Sequence, residues 1–350
     1  MTAGPLTNVS QGNTYIKDHA SSGKMVVDFS RNVEEFALPN YIQYRKVPKQ
    51  RGLYLKIDQR NAGRIVGGRV DDFVWVDGQD RPNPNNNGQE FQWLDFETVR
   101  RNLNEKIGDL AREQADWNVE VGQQALQAQQ AMTIRTKLVH TALDLSANWD
   151  TEHYKTVTTI PGVGGTWDAS LSTDQDIRRS INYGVKRILL STLGKVRKKD
   201  LVWVMNPTTA MAISETQELI DVIKQSPEAM SQLTQATGRW SEWGLPDKLF
   251  GVRIVVEDAV MVTSARGAAS QTESFVMADG ISYLLSRPGG LVSKTGGPSF
   301  STATLFTKEE MTVEKTHDSY NRLMKIDVVD DVGVGMTAPA AGFAFRGCLS

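Results

Sequence analysis

Apolar and polar residues alternate along LYLKID (53–58), the two-residue period of a strand with one buried face. RVDDFVWV (69–76) is rich in β-branched and aromatic residues, and EFQWLDF (90–96) can form a third short strand. NAGRIVGG (61–68) is a glycine-bearing tip and DGQDRPNPNNNG (77–88) a cluster of turn formers, so 53–94 reads as a long hairpin. It has few residues to make a core of its own, and a two-stranded projection is marginal alone in water. Another surface is expected beneath it, a neighbouring subunit being the natural one. Residues 1–50 carry isolated apolar positions (Val26, Val27, Phe29, Phe36, Leu38) in a polar background. That is the pattern of an arm that also lies on something else.

From Asp95 the spacing changes. Phe96, Val99, Leu103, Ile107, Leu110, Trp117 and Val121 stand three, four or seven apart and predict a long helix to about Val121. A second helix is predicted over 123–147 from Ala131, Ile134, Leu138, Ala142 and Leu145. After a loop at 162–172, Ser172 or Thr173 caps a third, striped with Ile177, Ile181, Val185, Ile188 and Leu189 and ended by Gly194. KVRKK (195–199) is a basic connector, and LVWVM (201–205) a buried strand turned at Asn206-Pro207. Short helices follow around 208–214 and 216–224. Strands are predicted in 250–258, in 274–286, in a long pair 302–319 and 321–336 joined by an Asp-Ser turn, and in 338–347. The sum is α+β, without the regular βαβ repeat of a parallel sheet.

Composition narrows the function. The 350 residues carry a net charge of −2, which gives no whole-molecule attraction to nucleic acid or to an anionic membrane. Any contact with DNA must be local. A single cysteine, Cys348, rules out an internal disulfide, and four scattered histidines offer no metal-ligand spacing. No metal and no cofactor is expected. No apolar run reaches membrane-spanning length, and the stretch MTAGPLTNVSQGNTY (1–15) is polar, without the basic-then-apolar pattern of a secretion signal.

The chemical motifs are weak. Gly289–Thr295 (GGLVSKT) is close to a phosphate-binding loop, but it has three residues where that loop has four before its second glycine, and Ser293 stands where that glycine is needed. Gly296, Gly297 and Pro298 also prevent the helix whose N-terminus would face the phosphate. A glycine-rich turn between strands is the better reading, and a nucleotide-binding enzyme the remote alternative. PGVGGTW (161–167) and GRIVGG (63–68) lack the strand-to-helix context of dinucleotide sites. The pairs Glu309-Glu310 and Asp330-Asp331 should point to opposite faces of a strand and be solvated rather than convergent.

The order of parts resembles the major capsid protein of tailed bacteriophages, a fold shared with encapsulin shells and the herpesvirus capsid floor. VPKQRGLYLKID (47–58) resembles the entry of the arm into that family's extended loop, and the helix expected from Asp95 is similar to its spine helix. TWDASLSTDQDIRRSINYGVKRILLSTLG, LVWVMNPTTAMAI and ELIDVIK, followed by LFGVRIVVEDA (249–259), resemble its axial domain. The resemblance implies an arm at 1–52 and an extended hairpin loop at 53–94. It implies a peripheral domain with the spine helix at 95–160 and 300–330, and an axial domain at 161–299 and 331–350. It implies a non-enzymatic shell subunit that forms hexamers and pentamers around double-stranded DNA. Its expected partners are a separate scaffolding protein, a portal protein and possible decoration proteins. An encapsulin-like compartment is the alternative.

Heterologous contacts between identical chains close into rings and shells, which suits an arm and hairpin lacking cores of their own. Ile57, Ile65, Val66, Phe73 and Trp75 are the candidate inter-subunit residues on the hairpin, and Arg197, Lys198 and Lys199 candidates for contact with DNA or an acidic neighbour. Lys56 is the sole hairpin lysine and sits at its base, so covalent cross-linking between subunits is not expected.

Overall fold

The computed structural model describes residues 31–58, 74–80, 90–115, 118–168, 176–225, 243–265, 268–292 and 299–350. In chain order, β1 (Gln43–Lys46) leads to β2 (Arg51–Asp58) and β3 (Glu90–Glu97), which pair antiparallel with Arg51 opposite Glu97 and Asp58 opposite Glu90. The hairpin thus joins 51–58 to 90–97. Val74–Val76, expected as strand, forms none and leads into a turn.

After buried Thr98 the chain enters β4 (Val99–Gly108), then short α1 (Asp109–Gln114) and α2 (Val119–Asp144). This corrects the helix expected from Asp95. Val99, Leu103 and Ile107 stand four apart, and a step of four keeps one face in a strand as well as in a helix. Ten register pairs with the strand at 323–335 decide it for the strand. The long helix is α2, of 26 residues and about 39 Å. Asn118 caps it by accepting the Val121 N–H. Its buried stripe is Gln127, Ala131, Arg135, Val139 and Leu143, not the Ala131, Ile134, Leu138, Ala142, Leu145 line. Two of its five members are polar, which weakens the apolar period that would reveal it.

β5 (Tyr154–Thr156), α3 (Asp176–Ser191), β6 (Leu201–Met205), α4 (Pro207–Ser214) and α5 (Gln217–Gln225) follow. Then come β7 (Lys248–Leu249), β8 (Val252–Val256), β9 (Val260–Val262), β10 (Glu273–Phe275) and β11 (Ser282–Ser286). The expected strand 274–286 is therefore two. A turn at Gly280, with φ +68°, sends β10 to pair with β9 and β11 into another sheet. β12 (Thr304–Asp318), β13 (Leu323–Gly335) and β14 (Phe343–Arg346) close the chain; the Asp-Ser turn joins the first two as expected.

Two larger sheets result. One has the order β1-β12-β13-β4, with β1 parallel to β12, and α2 lies on it. The other has the order β5-β14-β11-β6-β8-β7. Every residue of β6 and β11 is buried, because this sheet has a core on each face. Leu201, Trp203 and Met205 enter one core with Phe343, Phe345 and Trp167; Val202 and Val204 enter the other with Tyr283, Leu285 and Tyr41. An unbroken apolar run such as LVWVM is what a central, doubly covered strand requires. Burial of each such side chain stabilises the fold by roughly 1.5–3 kcal/mol.

The acidic pair Asp330-Asp331 sits on β13 and does point to opposite faces, but both residues are buried, which corrects the solvated reading. Arg135 of α2 forks onto Asp330 (2.8 and 2.7 Å), while the Gln50 side chain donates to Asp331 (2.9 Å). Glu309 and Glu310 are exposed and pair with Arg100 and Lys46.

Candidate assembly surfaces

The β2–β3 ribbon has two unlike faces. Tyr54 and Phe96 turn inward: the Phe96 ring stacks on Phe306 of β12 at 4.7 Å, and Tyr54 donates its hydroxyl to the Met336 carbonyl at 3.3 Å. Two glycines allow this fit. A Cβ on Gly52 would stand 2.6 Å from the Phe96 ring, and one on Gly333 would stand 1.8 Å from the Glu97 carbonyl oxygen. The outward face carries Leu53, Leu55 and Trp93, which remain 58%, 41% and 63% exposed, with Leu55 directly opposite Trp93 in register. Large apolar groups contiguous on one strand face mark a surface that another molecule covers.

The proposed hairpin contacts fall unevenly on the described residues. Ile57 lies on β2 opposite Phe91. Ile65, Val66 and Phe73 lie outside the described residues, as do Ser172 and Thr173. Trp75 is 58% exposed, with Val74 and Val76 on either side also exposed. Its indole N–H donates to the Gln79 carbonyl at 2.7 Å, folding the ring over a turn in which Gly78 has φ +82°. Leu53, Leu55 and Trp93 are further candidates that the alternation of LYLKI does not by itself single out. Alternation separates the two faces without saying which one the fold covers.

Arg197, Lys198 and Lys199 lead from α3 into β6 through a 3-10 turn, Lys198–Asp200. The Asp200 carboxylate accepts the Arg197 N–H at 3.2 Å, which spends the acid next in sequence on the turn itself. Lys198 bends back to donate to the Asn182 side chain at 3.2 Å. Burial lowers its pKa, and nearby Arg178 adds to that. Arg197 and Lys199 point into solvent.

Gly289–Thr295 is described as far as Val292. Gly289 (φ +71°) donates its N–H to the Gln43 side chain at 2.7 Å, Gly290 donates to the Arg287 carbonyl at 3.0 Å, and Leu291 bridges to Phe300. The Gly289 and Gly290 amides are thus already used, Ser293, Lys294 and Thr295 lie outside the described residues, and no helix lies between Phe300 and β12.

One buried titratable cluster stands where the arm meets the body. Tyr41 donates to Glu257 at 2.7 Å, and its oxygen lies 3.0 Å from His140 Nε2. Burial pushes the Glu257 carboxyl up to about 7, against the hydrogen bonds from Tyr41 and the Ala259 N–H. Burial also pushes His140 down to about 3, helped by Lys137. Arg31 reaches Asp258 at 2.9 Å beside this cluster. All three residues are sealed from solvent, so no substrate reaches them. They lock the end of the arm, whose Phe36, Leu38 and Ile42 are buried, onto this chain's own body. Among the described residues no group of three His, Cys, Asp or Glu could hold a metal ion, and no helix is long and apolar enough to cross a membrane.

No protein-family model and no curated protein sequence matches the chain. Solved structures do. A phage-related protein from Bordetella bronchiseptica RB50 matches with a TM-score of 0.56 at 14% identity, over 88% of this chain and 90% of that one. The capsid of the cyanophage P-SCSP1u gives 0.55 at 12% identity, over 99% and 98%. The mature capsid of bacteriophage PhiM1 gives 0.53 at 14%, over 95% and 90%. The chain has the fold of phage capsid subunits along nearly its whole length, in the α+β form that its sequence resembles.

Proposed function

We propose that this chain is the major capsid protein of a tailed bacteriophage, a structural subunit and not an enzyme. It assembles into hexamers and pentamers of an icosahedral shell around double-stranded DNA. The observation that carries the reading is the apolar outer face of the β2–β3 ribbon, on a chain whose fold matches capsid subunits over nearly its whole length. Leu53, Leu55 and Trp93 stay exposed in the single subunit, and a second copy of the chain supplies the cover. A charge of −2 suits a shell that encloses DNA without condensing on it. A scaffolding protein, a portal protein and optional decoration proteins complete the assembly, which takes place in the host cytoplasm. The division into arm, extended loop, peripheral and axial domains belongs to the same proposal and is supported by the presence of two separate large sheets.

The test is electron microscopy of the purified chain, expressed alone and with the scaffold encoded beside it. Rings, tubes or closed shells are expected. A dispersed monomer in both preparations contradicts the reading.

A further inference from the structure

Two exposed surfaces of this chain complement each other. The first is the outward stripe of α3. Arg178, Asn182, Lys186, Leu189 and Leu190 follow at helical spacing over about 18 Å, all exposed, with Leu193 just past the helix end. Residues 177–199 contain eight Lys and Arg and no Asp or Glu. Arg179 and Arg187 are spent on Asp176 and Glu152. Among the described residues Arg178, Lys186, Lys195, Arg197, Lys198 and Lys199 make no ion pair. Leu190 is 60% exposed and Leu193 54%. The surface is thus cationic at one end and leucine-lined at the other. A phosphate backbone would satisfy the cations but leave the leucines against water. An acidic segment with an apolar end satisfies both.

The second surface is such a segment. Val74, Trp75 and Val76 are exposed, and Asp77 and Asp80 follow, also exposed. Gln79 N–H donates to the Val76 carbonyl at 3.2 Å and Trp75 to the Gln79 carbonyl, so the segment is a folded knob. Holding it in advance lowers the ordering cost of docking.

We propose that the Val74–Asp80 knob of one subunit docks on the α3 stripe of a second copy, its apolar residues against Leu189, Leu190 and Leu193 and its carboxylates against Lys186 and Lys199. This rests on the shell reading and names the surface that receives the hairpin loop.

The test is a charge swap in the full chain, expressed with its scaffold. Both lysines are exposed, so K186E/K199E is expected to keep the wild-type thermal midpoint and circular dichroism. Particle yield by sedimentation should fall at least tenfold. Adding D77K/D80K to the same chain should restore it. Wild-type yield from K186E/K199E, or no recovery in the four-residue swap, overturns the inference while leaving the shell reading intact. Normal particles that lose packaged DNA would also overturn it, by assigning the cations to phosphate. Absence of particles from the wild-type chain would overturn both.

Discussion

At the scale of single residues, the buried polar groups hold the predictions of largest size. Arg135 and Asp330 are both nearly inaccessible and paired through two hydrogen bonds. Removing one partner strands a buried charge, so Arg135→Ala should cost about 3–5 kcal/mol in denaturant unfolding. Replacing both, Arg135→Met with Asp330→Leu, should cost far less. The Tyr41–Glu257–His140 cluster sets a pH profile. Glu257 is raised from 4.5 to about 7, so the stability it lends is whole below pH 4.5 and is lost as pH climbs toward 7. His140 is depressed from 6.5 to about 3, so its contribution is whole above pH 6.5 and is lost as pH falls toward 3. Between pH 4.5 and 6.5 the two slopes oppose and cancel. Thermal midpoints of wild type minus Glu257→Gln remove the background of other carboxylates. That difference should fall steadily from pH 4.5 to 7; a flat difference would mean Glu257 ionises normally.

At the scale of elements, the ribbon makes the sharpest claim. Leu55→Asp and Trp93→Asp change its outer face only, so each should leave the unfolding midpoint of the free subunit within about 0.5 kcal/mol of wild type. Each should nevertheless abolish particles seen by microscopy. The mirror experiment, Gly52→Leu, drives a side chain into the Phe96 ring and should destabilise the subunit itself. Elements differed in how plainly the sequence announced them. LVWVM, the 302–336 strand pair and the stripe of α3 apart from Leu189, which is exposed, are legible, because each has one period and one boundary signal. β4 is not, since residues four apart satisfy strand and helix alike, and only pairing with β13 separates the two. The buried face of α2 was hidden by Gln127 and Arg135, which are paid for by partners far along the chain, the Ile326 carbonyl and Asp330. For the proposed assembly surface, the sequence marks the hairpin but not its outer apolar set, because outward and inward parity look identical until Phe306 and Met336 are seen to occupy one side.

At the scale of the whole molecule, the proposed covering of the ribbon by a neighbour would couple stability to assembly. Anything that binds only the folded subunit raises its apparent stability by mass action. Wild-type particles should therefore melt above free subunits, whereas Trp93→Asp chains should melt with the free-subunit midpoint at every concentration. Scanning calorimetry across a hundredfold dilution measures this.

The parallel pairing of β1 with β12 has a consequence for how the molecule is made. Gln43 meets Thr304, and β4 waits for β13, so one sheet draws its strands from opposite ends of the chain. The other sheet likewise sets Tyr154 against Ala344. The first cannot close until the ribosome has delivered Gly335, nor the second until Arg346. Non-local pairing of this kind is slow, and its open strand edges are prone to aggregate while they wait. A chain interrupted in translation near residue 300 would leave both sheets unfinished, so the supply of competent subunits depends on finishing and shielding each nascent chain.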